Sequence, residues 1–67
     1  AVKPLDFTRR IIRNSSRENQ VILDPFMGSG TSIVAALLES RNAIGIEINK
    51  EYFNIAQKRI ENEIKDL

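Results

Sequence analysis

Asp24-Pro25-Phe26-Met27-Gly28-Ser29-Gly30-Thr31 follows the apolar run Val21-Ile22-Leu23 and leads into a second apolar run that starts at Ile33. The first run favours β structure and holds no polar residue, the pattern of strands covered on both faces. Pro25 ends the pairing, because proline has no N–H for a ladder and fixes φ near the value of a turn. Gly28 and Gly30 can adopt φ > 0 and leave backbone bare for a ligand. Ser29 and Thr31 are good N-cap residues, so the second run is expected to be a helix whose positive end faces that ligand. The stretch predicts a strand–loop–helix junction of the kind that binds nucleotide-like cofactors.

Outward from this junction the pattern predicts helix, strand, helix, strand, helix. Pro4 suits a first helical turn, and Leu5, Thr8, Ile11 and Ile12 fall at helical spacing. A helix is therefore expected over Pro4–Asn14, with Arg9, Arg10 and Arg13 mostly outward. Asn14–Asn19 reads as a connecting loop and Gln20–Asp24 as the first strand. Over Thr31–Ser40, the residues Ile33, Val34, Ala35, Ala36, Leu37 and Leu38 leave almost no polar face, which suits a helix packed between a sheet and other elements. After a turn at Arg41-Asn42, Ala43–Ile48 reads as a second buried strand that carries one carboxylate, Glu47. Asn49 is placed to cap a last helix, in which Phe53, Ala56, Ile60, Ile64 and Leu67 recur every three or four residues. Tyr52 and Phe53 are expected on its packing face, and Glu61 and Lys65 are spaced for an ion pair.

Strand, helix, strand in this order is a βαβ unit with parallel strands. Two strands beside so apolar a helix leave faces and edges open. The expected fold is therefore α/β, one portion of a larger doubly wound domain whose other strands lie elsewhere in the parent protein.

Composition narrows the chemistry. A chain of 67 residues buries only about 60% of its unfolded surface and is marginal without staples. The sequence has no cysteine and no histidine, which removes disulfides, thiolate metal sites and the commonest general base. No metal site is expected. A formal net charge of +1, from 10 basic and 9 acidic side chains, gives no overall drive toward nucleic acid or anionic membrane. No apolar run approaches the roughly 20 residues of a membrane span, and no secretory signal opens the sequence, so a soluble, cytoplasmic protein is expected.

Glu47 stands 19 positions after Gly28, at the expected carboxyl end of the second strand. An acid about 20 residues beyond a glycine loop accepts hydrogen bonds from ribose hydroxyls in dinucleotide and related folds. A plainer reading has Glu47 reaching solvent or pairing with Lys3 or Lys50. The glycine loop also has its plain reading, a tight turn and nothing more. It departs from the dinucleotide fingerprint, since Ile33 stands where a third glycine belongs, and no Gly-Lys-Ser/Thr follows to make a phosphate loop. What remains is a loop shaped for a nucleoside cofactor without a pyrophosphate.

Asp24-Pro25-Phe26-Met27-Gly28-Ser29-Gly30-Thr31, with Lys3-Pro4-Leu5 before it and Gly45-Ile46-Glu47 and Tyr52 after it, resembles the C-terminal part of DNA amino-methyltransferases that use S-adenosylmethionine. The likeness covers essentially the whole chain and fits the permuted, beta-class order, in which the cofactor loop comes last. It implies a partial Rossmann-like methyltransferase fold and a parent enzyme of restriction–modification type that methylates adenine N6 or cytosine N4 in double-stranded DNA. It also implies cofactor contacts by Lys3, Pro4 and Leu5, by Asp24, Phe26, Gly28, Ser29, Gly30 and Thr31, by Glu47 at the ribose, and by Ile48 as a wall for the adenine. Lys3 also reads as a solvated terminal lysine, and Phe26 as a core aromatic.

The sequence departs from that family where the chemistry is done. The family's catalytic element is Asp, Asn or Ser followed by Pro-Pro and an aromatic residue, whereas the only prolines here are Pro4 and Pro25. Catalytic residues and the main target-recognition region are expected elsewhere in the parent protein, and the 67 residues alone are expected to be inactive. The cluster Arg9, Arg10, Arg13 and Arg17 reads first as an exposed helix face and second as a contact for DNA phosphates. Two other functions fit the loop: a related module that methylates RNA or protein, and a non-catalytic remnant.

Overall fold

The computed structural model describes residues 4–64. Three helices and two strands alternate as α1 (Pro4–Ser15), β1 (Val21–Asp24), α2 (Thr31–Leu38), β2 (Asn42–Gly45) and α3 (Lys50–Ile64). The strands pair in parallel, Val21 opposite Asn42 through Asp24 opposite Gly45, with α2 as the crossover between them. The expected α/β fold with a parallel sheet is what forms. Lys3, Lys65 and Leu67, and with them the expected Glu61–Lys65 pair, lie outside the described residues.

α2 is the centre of the molecule. Ile33, Val34, Ala35 and Ala36 are all buried, because the helix meets the sheet, α1 and α3 on different sides. Ala35 and Ala36 have no bulk beyond Cβ, which lets α1 approach until Ile12 joins them in one cluster, with Leu5, Ile22 and Ala43 packed against it. Full burial of an aliphatic side chain such as Val34 contributes about 1.5–3 kcal/mol.

The sheet was expected to be covered on both faces, and in this chain it is covered on one. Ile22 and Ala43 face the α2 cluster, whereas their neighbours Val21, Leu23 and Ile44 alternate to the other face and stand more than half exposed. The alternation follows from the two-residue side-chain period of a strand.

The second strand stops earlier than the apolar pattern suggests, and Pro25 is the reason. Beyond Asp24 the ladder needs a donor that proline lacks, and the Phe26 amide turns back to Asp24 Oδ1 at 2.9 Å. Ile46 donates to the Asp24 carbonyl at 2.9 Å, its own carbonyl accepts from Met27 at 3.1 Å, and regular pairing ends there. Glu47 and Ile48 therefore leave the sheet instead of closing it. Gly45 has no room for a side chain: an ideal Cβ there would lie 2.9 Å from Ile33 Cγ1, so helix α2 packs directly onto the backbone of β2.

Helix α2 also ends earlier than Ser40. Ser40 takes a left-handed conformation at φ 63°, Arg41 donates to the Ala36 carbonyl at 2.8 Å and Ser40 to that of Leu37 at 3.2 Å. This is a Schellman termination, built on serine where glycine is usual. Arg41 is buried and donates to the Ser16 carbonyl at 2.7 Å and the Glu39 carbonyl at 2.6 Å, tying the end of α2 to the end of α1.

Two arginines expected to point outward have a partner. Arg9 and Arg13 both donate to Glu39 Oε2, Arg13 at 3.0 Å, so the α1 face toward the end of α2 is ionic. The hydrogen bond from Arg9 holds the Glu39 carboxyl below the usual glutamate range against the opposing effect of burial, and the Arg13 bond and both positive charges add to it.

On α3, Asn49 caps as expected, its Oδ1 accepting the Tyr52 amide at 3.0 Å. Ala56 is buried against α2's end of the molecule, but Tyr52 and Phe53 are exposed. They face the side on which this chain provides nothing to pack against. Among the described residues no helix is long and apolar enough to cross a membrane.

Candidate functional site

The loop between β1 and α2 is organised by Asp24 at one end and Gly30 at the other. Asp24 Oδ1 accepts the Phe26 amide, which makes a tight Asx-type turn over Pro25, and Oδ2 accepts the hydroxyl of Ser32 in the first turn of α2. Both carboxylate oxygens are thus engaged in shaping the loop. Gly30 donates to the Met27 carbonyl at 2.8 Å and accepts from Val34 at 3.0 Å, which starts the helix.

Neither Ser29 nor Thr31 caps α2, contrary to expectation. Gly30 holds the cap position at φ 87°, ψ 17°, with no side-chain cap hydrogen bond. A capping side chain needs β-region dihedrals at its own residue, and that position here is left-handed. The Ser29 and Thr31 hydroxyls turn instead to Arg59 on α3.

The two loop glycines do different work. A Cβ at Gly30 would lie 3.1 Å from Ala56 Cβ, so this glycine lets α3 pack against the loop. Gly28, at φ 53°, has nothing within 4 Å of where a Cβ would stand, so one side of its backbone is open. The amide of Gly28 points at Glu47 and donates to Oε1 at 2.9 Å. Glu47 Oε2 accepts the Asn49 amide at 2.8 Å. The carboxylate is half-buried, and a carboxylate has about four lone-pair directions, so two remain to accept from another molecule.

Phe26 is 86% exposed and Ile48 98%, one on each side of this pair of residues. Phe26 is therefore not the core aromatic of its plain reading. No enclosed cavity forms among the described residues, so the glycine bend and Glu47 make an open shelf. The residues singled out in sequence fall into two groups. Asp24, Phe26, Gly28, Ser29, Gly30, Thr31, Glu47 and Ile48 belong to the loop and to the segment that crosses beside it. Pro4 opens α1, and Leu5 packs on the α2 cluster.

Three residues of the site's frame were not singled out from sequence: Ser32, which holds Asp24; Met27, which joins the loop to Ile46; and Arg59. Only Arg59 left a trace in the pattern, at i+3 from Ala56 on the packing face of α3.

A parallel βαβ unit with a glycine bend before its helix, and an acid from the next strand bonded to that bend, defines the class of α/β proteins that hold nucleoside cofactors beyond their strand ends. The particular family follows from comparison. Residues 1–58 match the model of the DNA methylase family N6_N4_Mtase, and the chain belongs to that family. It is 51% identical over 61 residues to the Type II methyltransferase M2.DpnII of Streptococcus pneumoniae, covering 91% of this chain and 23% of that protein. It is 52% identical over 54 residues to the Type II methyltransferase M1.MboII of Moraxella bovis, covering 81% of this chain and 21% of that protein. Among solved structures it superposes on TTHA0409, a DNA modification methylase of Thermus thermophilus complexed with S-adenosyl-L-methionine, with a TM-score of 0.89 at 36% identity, covering 96% of this chain and 27% of the other. The M1.HpyAVI–SAM complex gives a TM-score of 0.83 at 47% identity, covering 90% and 29%. The chain spans about a fifth to a quarter of the length of the curated relatives it matches.

Proposed function

We propose that the shelf formed by Gly28 and Glu47 binds S-adenosylmethionine, as the cofactor half of a DNA amino-methyltransferase. The observation that carries this reading is the 2.9 Å hydrogen bond from the Gly28 amide to Glu47 Oε1, which joins the glycine bend to the acid. The residues present fit a nucleoside. The side of Gly28 that a Cβ would fill is clear for close approach to backbone, the carboxylate has acceptor capacity for two ribose hydroxyls, and Ile48 and Phe26 offer exposed apolar surface for a base and a thioether chain. The relatives named as Type II methyltransferases and the solved complexes with the cofactor support the same reading.

The cofactor supplies an electrophilic methyl on a sulfonium, taken in one displacement by the exocyclic nitrogen of adenine N6 or cytosine N4 in DNA. This chain's residues bind and orient. Glu47 accepts from the ribose, Gly28 keeps the approach clear, Asp24 fixes the bend through Phe26 and Ser32, and Ser29, Gly30 and Thr31 present the start of α2. Lys3, Pro4 and Leu5 border the methionine part in this proposal. Holding the cofactor rigidly is itself a large share of catalysis in a reaction that needs alignment more than acid–base help.

The catalytic element and the target-recognition region belong to other parts of the parent protein, in the permuted, beta-class order. Those parts also cover the bare sheet face of Val21, Leu23 and Ile44 and the exposed Tyr52 and Phe53. The test is methyl transfer from labelled S-adenosylmethionine by the full-length protein to duplex DNA, RNA and protein substrates in parallel. Label on the amino groups of adenine or cytosine in DNA is expected. Label confined to RNA or protein, or no transfer at all, overturns the proposal.

A further inference from the structure

We infer that Arg59 is a positioning residue that sets the polarity of the glycine loop, holding the Ser29 and Thr31 hydroxyls as proton donors toward the cofactor; this rests on the cofactor reading above. Ala56, Arg59 and Ile60 share one face of α3, at i, i+3 and i+4. Ala56 and Ile60 lie 3.1 Å and 3.6 Å from where a Gly30 Cβ would stand, so that face is seated on the end of the loop. From it Arg59 Nη1 donates to Thr31 Oγ1 at 2.7 Å and, more weakly, to Ser29 Oγ at 3.4 Å.

The consequence follows from what each group can do. A guanidinium has only donors, so each hydroxyl must receive from it and keeps its own proton for a different acceptor. Neither hydroxyl caps α2, and the first turn of α2 contains no acidic residue to take those protons. A ligand group rich in acceptors suits them, and the α-carboxylate of S-adenosylmethionine is one. The bond spans 28 positions of sequence and ties α3 to α2, so it also fixes where the hydroxyls stand.

The experiment is calorimetric titration of the full-length protein and its Arg59→Met, Arg59→Lys, Thr31→Val and Arg59→Met/Thr31→Val variants. Two ligands are used: S-adenosylmethionine, and methylthioadenosine, which keeps the nucleoside but has no carboxylate. Arg59→Met is expected to weaken S-adenosylmethionine binding by about tenfold or more, the scale of a charge-assisted hydrogen bond. Methylthioadenosine binding is expected to stay within about twofold, Arg59→Lys to restore most of the loss, and the double variant to be no weaker than Thr31→Val, because coupled groups are not additive. Equal losses for both ligands, or additive losses in the double variant, would show that Arg59 only packs and would overturn the inference. If Arg59→Met fails to fold, Thr31→Val and Arg59→Lys carry the same two-ligand comparison. A parent protein that binds neither ligand overturns the cofactor reading itself, a result distinct from an Arg59 variant that binds as tightly as its parent.

Discussion

Glu47 Oε1 and the amide of Gly28 meet at 2.9 Å, so the residue that leaves β2 and the bend that follows β1 are one structural unit. Removing the carboxylate strips an acceptor from both Gly28 and Asn49 as well as from the ligand. Glu47→Ala in the full-length protein is expected to weaken S-adenosylmethionine binding at least tenfold, about 1.4 kcal/mol, since a lost acceptor to a half-buried donor costs about 1–3 kcal/mol. Calorimetry checks this, and unchanged affinity contradicts it.

Gly28 and Gly30 should separate binding from stability. Gly28 adopts φ 53° with open space beside it, so Gly28→Val carries backbone strain of about 1–2 kcal/mol and places its side chain where the ligand would lie. Gly30→Ala meets Ala56 instead, at 3.1 Å from a left-handed position. The first is expected to lose cofactor affinity out of proportion to its small fall in melting temperature. The second is expected to lose about 1–3 kcal/mol of stability. Denaturant melts and titrations of both variants test the pair.

Ser40 ends α2 in a conformation that costs a residue with a Cβ about 1 kcal/mol or more. Its side chain is exposed, and the termination hydrogen bonds come from backbone. Ser40→Gly is therefore expected to stabilise the protein by about 0.5–1 kcal/mol, seen as a higher denaturation midpoint at unchanged slope.

Glu39 gives a pH dependence of definite sign. Its carboxyl titrates below the usual range in the folded state, chiefly through the Arg9 hydrogen bond. A group depressed in this way contributes stability above its unfolded value, roughly pH 4.3, and that stability is lost as pH falls through the folded value. Unfolding measured from neutral pH downward should show an acid limb that Glu39→Gln flattens. An unaltered limb contradicts the ion-pair assignment.

The sequence made the framework legible where local chemistry decides it. Val21-Ile22-Leu23 before Pro25, the apolar stretch of Ile33–Leu38 and the cap at Asn49 each depend on neighbouring residues alone, and each lies where it was expected. Boundaries set by distant partners were not legible. Ala43–Ile48 reads as a continuous strand, and only the loss of a donor at Pro25, on the other strand, ends it at Gly45. Arg9 and Arg13 looked like solvent-facing charges until α2 brought Glu39 to them, and Arg59 acquires its role only where α3 crosses the loop. Within the site, Gly28 and Glu47 were legible as a pair because their spacing carries chemistry. Ser29 and Thr31 were misread as caps because the left-handed turn at Gly30 depends on the packing of Ala56.

The most direct measurement is a crystal structure of the full-length protein with S-adenosylmethionine. The ribose hydroxyls are expected within hydrogen-bonding distance of the Glu47 carboxylate, with the ligand lying against the open side of Gly28. A cofactor bound elsewhere, with Glu47 and Gly28 bonded only to each other, would contradict the assignment of the site.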